Sequence, residues 1–357
     1  MSLEPADAPG RGQGSEPADA PGLEPADAPG RVAGPADHSV YVPRLICAGN
    51  VVIDLVATVP MLPERGGDVI AHAEGLHPGG AFNVMVASAR QGLPAAYAGA
   101  HGTGPFGDLA RAAMATEGIR VLLQPTPESD TGYDIALTDA GGERTFVTVV
   151  GAEATLTDER LAAVSVGGRD SVVASGYGLL RDPNASAIAE WLGHIPDSAC
   201  VLFDPGPLGH DIAPDILNAV LERADWFSCN EREALRLTGT KDAGTASEVL
   251  VARSPRCGIV VRLGARGCLL VLPGELPRLS QSFAVAAVDT NGAGDAHVGA
   301  FLAALSAGLS PDAAARRANA AAALSVTRRG PATAPTHAEL DDFLARRPPL
   351  WSASAGR

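Results

Sequence analysis

From Leu45 onward, short apolar runs alternate with longer stretches in which apolar residues return every third or fourth position. The short runs, rich in Val, Ile and Leu, mark strands buried on both faces; the longer ones mark helices with an apolar stripe. LICAGNVVIDLVATV reads as a buried strand broken at Gly49-Asn50, FNVMVASARQG as a helix, and AAYAGAHG as a strand entering a loop. DLARAAMATEG reads as a helix closed by Gly118, and DSVVASG as another strand. ASAIAEWLGHI (helix), ACVLFDPG (strand), PDILNAVLERA (helix) and DWFSCN (strand) follow, then GIVVRLGARGCLLVL, two short strands about a glycine turn. This alternation predicts crossover helices and a mostly parallel sheet covered on both faces, an α/β fold. Two intervals, 57–72 and 131–150, instead alternate apolar with polar residues, and AGG within ALTDAGGERTFVTVV marks a hairpin turn. Strands polar on one face suit a small, partly exposed sheet, a lid.

Residues 1–43 stand apart. EPADAPG occurs three times there, with a fainter GPAD echo, and Pro and Gly punctuate it too often for helix or strand. Such a tail has almost nothing to bury and is expected to be disordered, as are residues 347–357; the folded domain is expected over 44–346. The whole chain has 357 residues, 46% hydrophobic, ample for a large core. Its formal net charge of −14 argues against nucleic-acid binding and anionic membrane surfaces, both of which call for basic patches. The five cysteines show no CxxC spacing and lie mostly in apolar runs, so buried thiols are expected rather than a disulfide or zinc framework. No apolar run reaches the roughly 18 residues of a membrane span, and no signal peptide is evident. A cytoplasmic protein is the expectation.

The chemistry concentrates in DTNGAGDAHVGAFLAAL, Asp289 to Leu305. A small-residue loop, Asn291-Gly292-Ala293-Gly294, opens a helix with Val298, Phe301, Leu302 and Leu305 on one face. A helix N-terminus offers unpaired N–H donors and a positive dipole end, and small residues let an anion approach them. Asp295, in the first turn, is expected to be ionised by the same dipole. A carboxylate beside an anion cradle suits a hydroxyl that loses its proton as it attacks phosphorus. Taken alone, the motif also fits a tight turn with Asp295 as a cap.

The residues around it form a familiar company. HPGGAFNVMVASARQG, a Gly-Gly pair followed by Asn and a helix, resembles the N-terminal signature of the ribokinase-like, or PfkB, family of carbohydrate kinases. DTNGAGDAHVGAFLAAL resembles its C-terminal signature, CNEREA its Asn-x-x-Glu element, and VRLGARGCLL its strand-Gly-x-x-Gly turn. The resemblance spans about 45–344 and is strongest, through GERTF and the order of segments, to the uncharacterised bacterial sugar-kinase branch. It implies a three-layer sandwich with a mostly parallel central sheet and a small β lid, and ATP-dependent phosphorylation of a sugar hydroxyl. By the same resemblance Asp295 is the base, and the amides of Gly292, Ala293 and Gly294 form the anion hole. Asp54, Gly79, Gly80 and Asn83 hold the sugar, with Glu143 of the lid as a further contact. Asn230 and Glu233 organise a Mg²⁺–phosphate shell, in large part through water, since Mg²⁺ keeps several waters. Arg262, Gly264 and Gly267 line the nucleotide side, and Asn319 sits near the adenine. Asp289, Asn291, Ser325, Arg328, Gly330 and Thr333 are candidates for a K⁺ loop, chiefly through backbone carbonyls. Asn291 stands where a hydroxyl residue is usual, and this loop is one residue short. Lid strands in the family often pair between subunits, which implies a homodimer.

Other readings stay open at this point. A nucleoside kinase of the same family asks for aromatic stacking surface, whereas aromatics are 4% of the chain. A sugar-phosphate kinase would use Arg65 or Arg144 in the lid intervals. A sugar or nucleotide sensor would keep the fold without catalysis. GTGPFG, 102–107, fits the GxGxxG dinucleotide pattern, but Pro105 and Phe106 obstruct a pyrophosphate and a lone match is weak. No GxxxxGK[ST] is present, so a P-loop enzyme is excluded.

Overall fold

The computed structural model describes residues 41–347 apart from Gly142; the EPADAPG repeats and nearly all of the expected C-terminal tail lie outside the described residues. The chain runs β1 (Leu45–Ala48), β2 (Ile53–Thr58), β3 (His72–Pro78), α1 (Ala81–Arg90), β4 (Ala95–Tyr97), α2 (Pro105–Thr116), β5 (Arg120–Val121), β6 (Tyr133–Thr138) and β7 (Arg144–Val149). It continues through α3 (Asp158–Ala162), β8 (Ser171–Ser175), α4 (Asn184–His194), β9 (Cys200–Asp204), α5 (Pro214–Arg223), β10 (Trp226–Asn230), α6 (Glu231–Thr238) and α7 (Ala243–Arg253). It closes with β11 (Gly258–Arg262), β12 (Cys268–Val271), β13 (Arg278–Ser280), α8 (Ala293–Ser306), α9 (Pro311–Ser325) and α10 (His337–Ala345).

Nine strands form one sheet in the order β13-β12-β11-β10-β9-β8-β1-β4-β5, parallel throughout except for β12 and β13 at one edge. Side chains alternate between faces along a strand, and β1 shows the consequence. Ile46 and Ala48 join the apolar layer supplied by α4, α5, α6 and α7, while Leu45 and Cys47 join the layer of α1, α2, α8 and α9. Both faces are therefore covered, which is why the parallel strands read as continuous apolar runs. The cysteines are unpaired; all but Cys200 are buried.

The break at Gly49-Asn50 does more than interrupt a strand. It carries the chain from the large sheet into a second one, where β2 begins. That sheet has four strands in the order β3-β2-β6-β7, with β2 parallel to β6 and the outer pairings antiparallel. It is the lid. The first polar-alternating interval is placed differently from expectation: β2 and β3 flank 59–71, which holds no strand. Pro60, Pro63, Gly66 and Gly67 explain this, since proline withdraws a ladder donor and glycine weakens a strand.

Candidate active site

Ligands of open α/β sheets bind beyond the carboxyl ends of the strands. Asp204, Asn230 and Arg262 are the last residues of the adjacent strands β9, β10 and β11. Arg262 Nη1 donates to Asp204 Oδ2 at 2.7 Å and to Ser228 Oγ at 2.7 Å, and Nη2 lies 3.6 Å from Glu233 Oε2. Burial works against the guanidinium's charge, but Asp204 and Glu233 outweigh it and shift its pKa upward. Burial, then Asp204, raises the Glu233 carboxyl above its usual range. Asn230 and Glu233 also close a reciprocal cap on α6. Asn230 Oδ1 accepts from the Glu233 amide at 2.9 Å, and Glu233 Oε2 accepts from the Asn230 amide at 2.7 Å. Asn230, Glu233, Arg262 and Gly264 line one cleft of about 420 Å³ together with Pro207 and Arg236.

The C-terminal motif faces this group. Gly292 caps α8 in the left-handed region, φ 71°, and a Cβ there would lie 2.0 Å from the Pro331 carbonyl oxygen. Only glycine fits, for conformational and steric reasons together. The Ala293 amide makes a long 3.4 Å bond to Thr290 O; the amides of Gly292 and Gly294 have no backbone acceptor among the described residues. Arg262 reaches this helix start, since a Cβ on Gly294 would sit 3.6 Å from its guanidinium. Asp295, in the first turn, accepts a 3.0 Å bond from Asn83 Nδ2. Burial lifts its pKa to about 6, with Asn83 and Arg262 opposing the shift and Asp204 assisting it. At pH 7 the ionised form still dominates by roughly tenfold, one pH unit above that value.

Asn83 belongs to α1, so its contact with Asp295 joins the two sequence signatures across 212 residues. Gly80 caps α1 at φ 60°, and a Cβ on Gly79 would strike the Asp54 carboxylate at 2.6 Å. Asp54, Gly79, Gly80 and Asn83 thus converge beside Asp295. Glu143 does not join them. It is exposed at the lid hairpin, five residues along from Thr148, which pairs with Asp134. At about 3.3 Å per residue that places it some ~16 Å from the Asp54 row. Three residues unmarked in the sequence reading do converge: Asp204, Asp134 and Tyr177. The Tyr177 hydroxyl is pushed up to about 12 by burial and by the charges of Asp134, Glu233, Asp295 and Asp204. Asp204 was findable as an acid ending an apolar parallel strand; the other two needed the packing.

A Cβ on Gly267 (φ 103°) would strike Ser280 O, and Asn319 Nδ2 donates to Ser280 O at 2.9 Å. Both serve the 280–281 backbone in this structure. The residues of the expected cation loop lie near one another, and some of their oxygens already accept hydrogen bonds. Asp289 accepts from the amides of Asn291 and Gly330, Ser325 O accepts from the Thr333 hydroxyl, and Thr333 O accepts from Arg328 at 3.4 Å. Arg328 also pairs with Glu339. The GTGPFG cradle is likewise filled, because Asp130 accepts from the Phe106 and Gly107 amides. A pyrophosphate would meet a carboxylate there, which removes the dinucleotide reading.

The model of the pfkB family carbohydrate kinases matches residues 42–338. The chain belongs to the pfkB family of carbohydrate kinases. It is 32% identical over 301 residues to the uncharacterized sugar kinase YegV of Escherichia coli K12, covering 83% of this chain and 92% of that one. Arabidopsis thaliana ribokinase complexed with ribose and ATP superposes with a TM-score of 0.68 at 25% identity, over 85% of this chain and 99% of that one. Vibrio cholerae fructokinase, in its fructose, ADP and calcium bound form, gives a TM-score of 0.69 at 27% identity over 85% and 99%. The pfkB chain described here is accordingly an ATP-dependent carbohydrate kinase with the ribokinase-like fold.

Proposed function

We propose that this kinase transfers the terminal phosphoryl group of ATP to a sugar hydroxyl, with Asp295 as general base. The carrying observation is the Asn83–Asp295 hydrogen bond, which sets the base against the sugar-side cluster while its own helix start offers free amides. Asp54, Asn83 and the bare backbone of Gly79 and Gly80 position the sugar. Asp295 holds the hydroxyl and takes its proton. The amides of Gly292 and Gly294, with Ala293 once its long bond yields, receive the charge developing on the phosphoryl oxygens. Arg262, already neutralised by two carboxylates, acts as a rigid dipole beside that hole.

Asn230 and Glu233 fit a Mg²⁺ only at one remove. Their cap uses Glu233 Oε2 and Asn230 Oδ1, and no group of three His, Cys, Asp or Glu residues among the described residues could hold a metal. Glu233 Oε1 remains for metal-bound water, and bound Mg²⁺ would supply charge neutralisation on the phosphates. Lid closure over the sugar would exclude water as a competing acceptor.

The test is the pH profile. With Asp295 near 6, kcat/KM should fall tenfold per unit below about pH 6 and level off above it. A profile flat from pH 5 to 8 rules the base out.

A weak response to K⁺ is proposed for the 289–333 loop, because the Asp289 carboxylate, Ser325 O and Thr333 O already accept hydrogen bonds and Arg328 brings a positive charge beside them. Replacing K⁺ by tetramethylammonium is expected to change turnover less than about twofold; strong K⁺ stimulation would show that the loop opens to admit the ion.

A second copy of the chain is the partner proposed for the lid. Leu76 and Val147, in register with Leu55 and Ile135, form an apolar row that is exposed at its two ends. Sedimentation should give a dimer, and Val147→Glu a monomer. No helix among the described residues is long and apolar enough to cross a membrane.

A further inference from the structure

We infer that Asp134 is a further specificity-determining residue: it accepts a hydrogen bond from a second hydroxyl of the sugar, next to the one held by Asp54, and selects neutral polyols over deoxy and anionic analogues. The inference rests on Asp295 being the base of the same site and names the class of acceptor that site takes.

The strand register carries the argument. β2 and β6 run parallel with Asp54 opposite Asp134, so the two carboxylates stand side by side on one face of the lid. His77 and Thr148 complete the rung. That face is turned to the cleft, because the Asp54 carboxylate packs on Gly79 beside the sugar cluster. From the other side, the charges of both Asp134 and Asp295 act on the Tyr177 hydroxyl. The lid carboxylate and the base therefore look into one space.

Asp134 is not explained by the protein's own contacts. Thr148 bonds its carboxyl, yet Oδ1 is buried without a partner. A buried carboxylate oxygen left unpaired is costly, and its usual reason is a ligand or water missing from the static picture. Burial raises its pKa, as expected for a charge awaiting a partner. Asn83 Oδ1 is also buried and unpaired. The acceptor pocket thus presents hydrogen-bond acceptors, which call for hydroxyl donors. It also presents adjoining negative charges, which repel a phosphate or carboxylate on the substrate. The rung contains no Lys or Arg, and the backbone of Arg144 lies four residues along β7 from Thr148. A sugar-phosphate acceptor would find its charge opposed.

The test measures sugar-dependent ADP release with ribose, fructose, 2-deoxyribose, ribose 5-phosphate and fructose 6-phosphate on the full chain. Wild type should use a neutral sugar at least a hundredfold better than its phosphate. Asp134→Ala should raise KM for that sugar roughly tenfold to a hundredfold, with kcat within about threefold, and narrow the preference over the phosphate and deoxy sugars. Asp134→Asn keeps an acceptor but removes the charge; it should restore KM for the neutral sugar and still narrow the preference over the phosphate. It also covers the case in which the alanine variant fails to fold. Melting temperature supplies an independent readout, since removing an unpaired buried charge should leave it unchanged or raise it. Unchanged selectivity in both variants, or a lower melting temperature with wild-type KM, overturns the inference while leaving Asp295 untouched. No turnover of any neutral sugar by wild type would instead remove the base assignment itself.

Discussion

Asp295→Asn should turn over its sugar between 10² and 10⁴ times more slowly than wild type, with KM for sugar and ATP changed only a few-fold. An asparagine at 295 still offers a carbonyl oxygen to Asn83 Nδ2, so the 3.0 Å contact between α1 and α8 survives and positioning is kept. What is lost is the proton acceptor. The same substitution should make the protein more stable at pH 7.5. The Asp295 carboxyl titrates near 6 in the folded state against an ordinary value of 3.8, chiefly because it is buried. Between those values the folded state holds a proton that the unfolded state has released. The stabilisation from the protonated form is complete below about pH 3.8 and gone above about pH 6. At pH 7.5 the wild type thus carries the full cost of a buried charge, at most about 3 kcal/mol for a two-unit shift, and asparagine avoids it. A melting temperature a few degrees higher, with turnover collapsed, is the expected pair of results. Undiminished turnover would end the assignment.

Gly292→Ala is expected to cost about 10²–10³-fold in kcat, the scale associated with losing an anion-hole donor. The alanine methyl would lie 2.0 Å from the Pro331 carbonyl oxygen, on a residue held at φ 71°. Neither partner is a flexible side chain, so the backbone must move, and the amides of Gly292 and Gly294 move with it. Gly294→Ala is the control. Its methyl meets only the Arg262 guanidinium at 3.6 Å, ordinary contact distance, at a residue without a positive φ. It should retain most activity unless the phosphoryl group needs that space. Stopped-flow or steady-state ADP release distinguishes the two variants, and equal, small losses in both would show that the loop does not grip the migrating group. Circular dichroism melts guard against simple unfolding of the Gly292 variant.

Much of the site was written locally. A glycine-rich loop opening an apolar helix is a short-range pattern, and Gly292 and Asp295 sit at the cap and first turn of α8 as that pattern implies; that Asn83 meets Asp295 depends on packing. The elements missed have local reasons too. α7 mixes Gly, Thr and Ser into its first two turns, which blurs its apolar period. α2 starts at Pro105, inside the GTGPFG loop, because proline suits a first helical position. Roles decided by distant partners were not legible. Glu143 sits beside a hairpin turn in sequence, yet strand register carries it away from the cleft, while the same register sets Asp134 next to Asp54. The ion pairs of Arg262 with Asp204 and Glu233 likewise join residues that are remote in the sequence.

The sequence by itself determined which strands are buried, where helices carry an apolar stripe, and that an acid follows a flexible loop at a helix mouth. These depend on periodicity and backbone freedom, which neighbouring residues settle among themselves. Only the tertiary structure decided how burial shifts Asp295, which oxygens of the 289–333 loop are already engaged, and which lid carboxylate stands beside Asp54. Those depend on burial and register, set by chain segments that are remote in sequence and adjacent only once folded.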